Sequence, residues 1–179
     1  VYIRIDVSEA IIEQLKDKKI DIALIESPIF QDALIYREWI EDELVVFSNQ
    51  QIPRNLKRED LYKFDWICRD ENSHTRKLTS EVFDEMDVEC SSFNVIGVVA
   101  SPTAIKETIM RSPTDAERPV VSVISRHVID HELETGQLFE ARLKNYKIRR
   151  KFYIVYSKER KHDAFIDHVV NYLLNIKGI

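Results

Sequence analysis

The sequence predicts an α/β fold, and three observations carry the prediction. Strand-like and helix-like apolar periodicities alternate along the chain. The run Ile20-Asp21-Ile22-Ala23-Leu24-Ile25 has the near-continuous apolar character of a strand covered on both faces. A length of 179 residues with 44% hydrophobic and 32% charged residues is enough for one compact domain or two small lobes without metal or disulfide staples.

Each element follows in order. Alternation through Val1, Ile3, Ile5 and Val7 predicts a strand. Ile11, Ile12 and Leu15 predict a helix with Ser8 as N-cap, and the apolar run at 20–25 closes a βαβ unit whose strands should pair in parallel. Residues 33–39 and 44–48 read as two short strands, and Gln50 to Arg54, polar with a proline, as a crossing or linker. A second set of elements then begins: strand 65–68, helix 73–86, strand 92–99, helix 101–110. After the turn-rich stretch 111–119 come strand 120–124, helix 126–135 ended by Gly136, a strand near Leu138, strand 148–156 and an amphipathic helix 162–174. Three glycines in the whole chain argue against a Gly-rich nucleotide fold.

Composition also bounds function. The formal charge of −5 sets this segment against a phosphate backbone, so any DNA binding has to come from elsewhere. No apolar run approaches the roughly 18 residues of a membrane span, and no secretory signal is visible at Val1-Tyr2-Ile3-Arg4-Ile5, so a cytoplasmic location and no membrane contact are expected. Cys68 and Cys90 are too few for a disulfide framework and lack zinc-site spacing. His127 and His131 stand four apart, but no third ligand completes a metal site. No metal, no cofactor and no catalytic group is expected.

Several segments carry candidate binding groups. The stretch from Arg69 to Arg76 joins a strand to a helix and sets Ser73, His74 and Thr75 where unpaired N–H groups point outward, with Arg69 and Arg76 as candidates for bidentate recognition of a carboxylate. An anion docks well there, although Ser73 also reads as a plain cap, and Arg69 or Arg76 as a partner of Asp70 or Glu71. Ser101 caps the next helix, with Pro102 at its first position and Thr103 after it. Glu26 and Ser27 end an early strand, and Ser125 begins a helix.

The order of these signatures resembles the LysR family of transcriptional regulators. The stretch Ile20 to Ile25 is similar to the family's Asp-hydrophobic-Ala strand, and Asp42-Glu43-Leu44-Val45-Val46-Phe47 to the strand leaving the first lobe. The helix Ser101 to Ile109, the strand Val121 to Ser125, and His131 to Leu138 with its Gly-x-Leu exit follow in the family's order. The resemblance implies a bacterial-type effector-binding domain with a two-lobe periplasmic-binding-protein-like fold. Residues 1–48 would open lobe I, 49–143 would form lobe II, and 144–179 would return to lobe I. Crossing strands would join the lobes around a ligand cleft. It also implies a winged helix-turn-helix, a long dimer helix and a first strand and helix ahead of Val1, and a homodimer or homotetramer in which the first-lobe helix and strand pack on the partner's second lobe. The family's usual Gly-x-Gly before Val121 is replaced by Arg111 to Pro119. The ligand set implied is Ser73, His74, Thr75, Arg76, Ser101, Thr103, Glu26, Ser27 and Ser125, for a small, polar or anionic effector. A transport-type solute-binding protein and a thiol-based redox regulator using Cys68 and Cys90 are the alternatives. An enzyme using Cys68 and His74 ranks third, with no nucleophile elbow or phosphate loop behind it.

Overall fold

The computed structural model describes residues 2–6, 8–26 and 29–176. Two compact units result: residues 1–41 with 150–179, and residues 42–149. The chain passes from one to the other in two long strands, β2 (Leu34–Ser48) and β8 (Ile148–Ser157).

The first unit holds α1 (Ser8–Lys16), β1 (Ile22–Ile25), the first half of β2, most of β8 and α6 (Ala164–Asn175). Strand β1 runs antiparallel to β8, Ile22 opposite Tyr156 and Ile25 opposite Tyr153. Alternation along these strands separates two cores. Ile11, Ile12 and Leu15 of α1 pack on Ala23, Ile25 and Val155, while Ile166 and Val170 of α6 pack on Ile154 and Tyr156. Asp163 caps α6, its carboxylate accepting from the N–H groups of Phe165 (2.9 Å) and Ile166 (3.2 Å).

Two expectations fail here. Residues 2–6 form no strand, so the βαβ unit with parallel pairing is not seen among the described residues; Val1 and Val7 lie outside them. Alternating apolar residues make a strand only with a ladder partner, and Tyr2, Ile3 and Ile5 are exposed. Nor is β1 covered on both faces. Leu24 is 46% exposed, because β1 is the outer strand of its unit and alternate side chains point away from the core.

The second unit adds β3 (Asn55–Leu56), α2 (Arg58–Leu61), β4 (Asp65–Cys68), α3 (His74–Glu85), β5 (Asn94–Val98), α4 (Pro102–Met110), β6 (Val120–Ser125), α5 (Asp130–Glu134) and β7 (Phe139–Leu143). Its strand order is β2-β6-β4-β5, with β7 on β2 and β3 beside β7. Strands β4, β5 and β6 are parallel, as helices between successive strands require. Trp66, Cys68, Val121 and Val123 face one core with Phe83 of α3; Ile67, Val120 and Ile124 face another with Ile105 and Ile109 of α4. In the first core Trp66 stacks on Phe93 at 4.9 Å between centroids, and Phe83 meets both rings edge-on.

Two further differences concern boundaries. The strands expected at 33–39 and 44–48 are one element, since the polar stretch Glu41-Asp42-Glu43 continues extended within β2. The helix expected over 126–135 begins as a 3-10 turn, Arg126–Ile129, before α5. Gly136, at φ +71°, ends it: a left-handed residue lets the Gln137 N–H reach the Glu132 carbonyl at 2.9 Å.

Candidate functional site

In the second unit, α3 leaves β4 on one face of the sheet and α4 leaves β5 on the other. That divergence puts a switch point beside β4, where open α/β sheets leave a crevice at their carboxyl ends. The ladder makes room for one. Strands β4 and β6 pair only at Asp65 with Val120 and Trp66 with Val121, and then part. Between their carboxyl ends lies a cavity of about 20 Å³, lined by Cys68, Arg69, Thr75, Arg76, Ser122 and Val123 and floored by the aromatic cluster. It has room for about one water molecule.

Seven of the nine expected residues sit at the carboxyl ends of these three parallel strands. Ser73 caps α3, and its Oγ accepts from the Arg76 N–H at 3.4 Å. Thr75, 6% exposed, and Arg76 line the cavity from the first turn, with His74 before them. Ser101 caps α4 by accepting from the Ala104 N–H at 3.3 Å, with Pro102 in the first turn and Thr103 exposed beside it. Ser125 ends β6. Its hydroxyl does not cap the following turn but donates to the Asp42 carboxylate at 2.8 Å.

The remaining two differ. Glu26 belongs to the first unit, where its carboxylate is paired with Arg150, whose guanidinium also lies 5.0 Å from the Phe152 ring centroid. Ser27 lies outside the described residues.

Electrostatics distinguish the two arginines. Arg69 reaches the Asp70 carboxylate at 3.8 Å. Arg76 makes no ion pair with a carboxylate among the described residues; its guanidinium lies beside the Cys68 thiol. Burial pushes the Cys68 thiol up and Arg76 only partly opposes it; burial likewise raises Cys90. Neither is an activated nucleophile. Among the described residues no group of three His, Cys, Asp or Glu can hold a metal ion. On the lining of this crevice the Arg76 guanidinium lies beside the Cys68 thiol, together with the side chains of Thr75 and Ser122.

Asp42, Ser122 and the aromatic floor escaped the sequence reading. Asp42 stood in view only as part of a strand, and nothing local shows that a carboxylate in an extended run will be 1% exposed against Ser125.

Comparison with known proteins agrees with this fold. The family model described as the LysR substrate binding domain matches residues 1–176. A probable RuBisCO transcriptional regulator of Thalassiosira pseudonana is 24% identical over 188 residues, covering 100% of this chain and 59% of the relative. The uncharacterized HTH-type transcriptional regulator YeiE of Escherichia coli K12 is 25% identical over 156 residues, covering 86% of this chain and 50% of the relative. The chain thus spans between half and three fifths of the length of these relatives. Among solved structures, the CcmR regulatory domain of Synechocystis PCC6803 in complex with 2-PG superposes with a TM-score of 0.77 at 21% identity, covering 97% of this chain and 81% of that one. The effector binding domain of QuiR in complex with shikimate gives a TM-score of 0.71 at 17% identity, over 94% of this chain and 77% of that one. With the family model matched along nearly its whole length, and a crevice at the switch point of its parallel strands, this chain belongs to the LysR substrate binding domain family.

Proposed function

We propose that this chain is the ligand-sensing domain of a LysR-type transcriptional regulator and that its effector is a small anionic metabolite bound at the crevice of the second unit. The observation that carries the reading is Arg76: a guanidinium without a carboxylate partner among the described residues, on the first turn of a helix, lining a cavity at a sheet switch point. An anion there gains the N-terminal N–H groups and a charge-assisted contact together. DNA would be engaged through a domain outside this chain, since this one carries a charge of −5. The regulator would act in the cytoplasm, and the two units would serve as the two lobes. No helix of the described residues is long and apolar enough to cross a membrane.

The chain would act as a homodimer or homotetramer. Leu24 on β1 and Val95, Ile96 and Val98 on β5 are exposed apolar residues on the outermost strands of their units, surfaces that suit a second copy.

The experiment is a thermal-shift screen of the chain against small carboxylates and phosphate esters, repeated with Arg76→Met. A ligand that binds only the folded state raises the melting temperature by mass action. The expected result is a shift by at least one anion that is lost in Arg76→Met while the unliganded melting temperature holds. A shift that survives the substitution would remove Arg76, and with it this site.

A further inference from the structure

A cleft of about 340 Å³ lies wholly within the first unit. Unlike the one-water cavity beside Arg76, it has the volume of a small-molecule site. One wall is the turn from α1 into β1, with Leu15, Lys18, Ile20 and Asp21. The other is the end of β8 and the 3-10 turn Lys158–Arg160, with Ser157, Glu159 and Arg160. Leu15 is 2% exposed and packs with Ile20 in the α1 core, so the apolar side of the cleft is fixed.

The charges form crossed pairs. Lys18 on the first wall bonds Glu159 on the second at 2.6 Å, and Arg160 on the second bonds Asp21 on the first. Each wall therefore carries one cation and one anion. A ligand of a single sign would meet a like charge on both walls, whereas a ligand of both signs finds a partner for each. The Lys18 and Glu159 side chains are 69% and 71% exposed, and such a pair contributes little, so its exchange for a ligand's charges costs little. Arg160 is also held by two bonds to Asp163, at 3.0 and 2.6 Å, which keep it in place when Asp21 turns to a ligand.

Lys18 gives an independent sign. Helix α1 ends in a Schellman turn, the Lys19 N–H reaching the Gln14 carbonyl at 2.9 Å and the Lys18 N–H the Leu15 carbonyl at 3.1 Å. The left-handed position of that turn, at φ +57°, is Lys18. Glycine takes this conformation freely and a lysine only under strain. Strain kept at the lip of a cleft points to use of the side chain. We infer that the cleft is a second ligand site, which takes a free α-amino acid with an apolar side chain: its carboxylate meets Lys18 and Arg160, its ammonium group meets Glu159 and Asp21, and its side chain lies over Leu15 and Ile20.

The test is calorimetry at fixed ionic strength with leucine and three compounds that each lack one of its parts: isocaproate without the ammonium group, isoamylamine without the carboxylate, and glycine without the side chain. The proteins are the chain, Lys18→Gly, Glu159→Gln and Arg76→Met. Leucine is expected to bind at least about fivefold more tightly than each of the other three, the upper end for one exposed charge contact. Lys18→Gly should weaken leucine by about fivefold yet melt no lower than the parent chain, because glycine relieves the left-handed strain. Glu159→Gln should weaken leucine similarly, and Arg76→Met should not change it. Leucine bound no more tightly than isocaproate or isoamylamine overturns the inference, as does an affinity that survives both Lys18→Gly and Glu159→Gln. Leucine binding lost in Arg76→Met belongs to the other cavity and overturns it too. No binding of leucine overturns it and leaves the Arg76 reading standing.

Discussion

Arg142 on β7 holds Glu43 on β2 through two hydrogen bonds, Nε to Oε1 at 3.1 Å and a terminal nitrogen to Oε2 at 3.0 Å. The fork-on-fork geometry joins strands distant in sequence, and the same guanidinium reaches Glu140 at 2.9 Å. These bonds hold the Glu43 carboxyl below its ordinary value of 4.5 against the opposing effect of partial burial. A group whose folded pKa is depressed stabilises the fold above its unfolded pKa and loses that contribution as pH falls through the folded value. The loss is therefore expected below about pH 4.5. With side chains 27% and 40% exposed, Glu43→Gln should cost about 0.5–1 kcal/mol at pH 7 and nothing once Glu43 is protonated, as urea unfolding at a series of pH values would show.

The aromatic cluster under the cavity is the strongest stability prediction. Phe83 is 1% exposed and meets both Trp66 and Phe93 edge-on. Phe83→Ala removes a ring from a packed core and is expected to cost about 3–5 kcal/mol. Phe83→Leu should cost less than half of that. Chemical denaturation of both variants checks the order; equal costs would mean that the ring contacts contribute nothing.

The caps of α3 and α4 are predicted to matter less. Both accept at the long end of hydrogen-bond range, 3.4 Å for Ser73 and 3.3 Å for Ser101. Each serine-to-alanine substitution should cost about 0.5 kcal/mol, the low end for an N-cap. Loss of anion binding without comparable loss of stability would separate the ligand role of either hydroxyl from its capping role.

Thiol accessibility tests the redox alternative. Cys68 is buried and Cys90 partly exposed, and burial raises both thiols above the ordinary value of 9.0. At pH 7 a thiol reagent should modify Cys90 first and Cys68 only slowly, with both rates rising as pH increases toward the raised values. Mass spectrometry after timed alkylation gives the order. Prompt modification of Cys68 by hydrogen peroxide at neutral pH would revive the thiol switch.

Sedimentation tests the outer strand of the second unit. Ile96, 53% exposed on β5, is expected to lie in the contact between copies. Ile96→Glu should lower the molecular mass in solution without lowering the melting temperature of the monomer.

Periodicity alone determined much of this protein. Alternating strand and helix from Asp65 to Ser125 favoured parallel strands, because a crossover helix returns the chain to the end of the sheet from which it started. Helix starts at Ser73 and Ser101 were legible because a cap acts on the next three residues. Only tertiary structure decided the rest. Ile3 and Ile5 carry a strand's pattern but no ladder partner among the described residues, and β1 pairs with β8, more than a hundred residues away. The Asp42 to Ser125 contact spans 83 positions, and Arg150 takes the Glu26 carboxylate from 124 positions away. Capping and periodicity act within a turn or a strand, so a sequence displays them. Which carboxylate meets which hydroxyl depends on strand order and register, and those are set by the burial of the whole sheet.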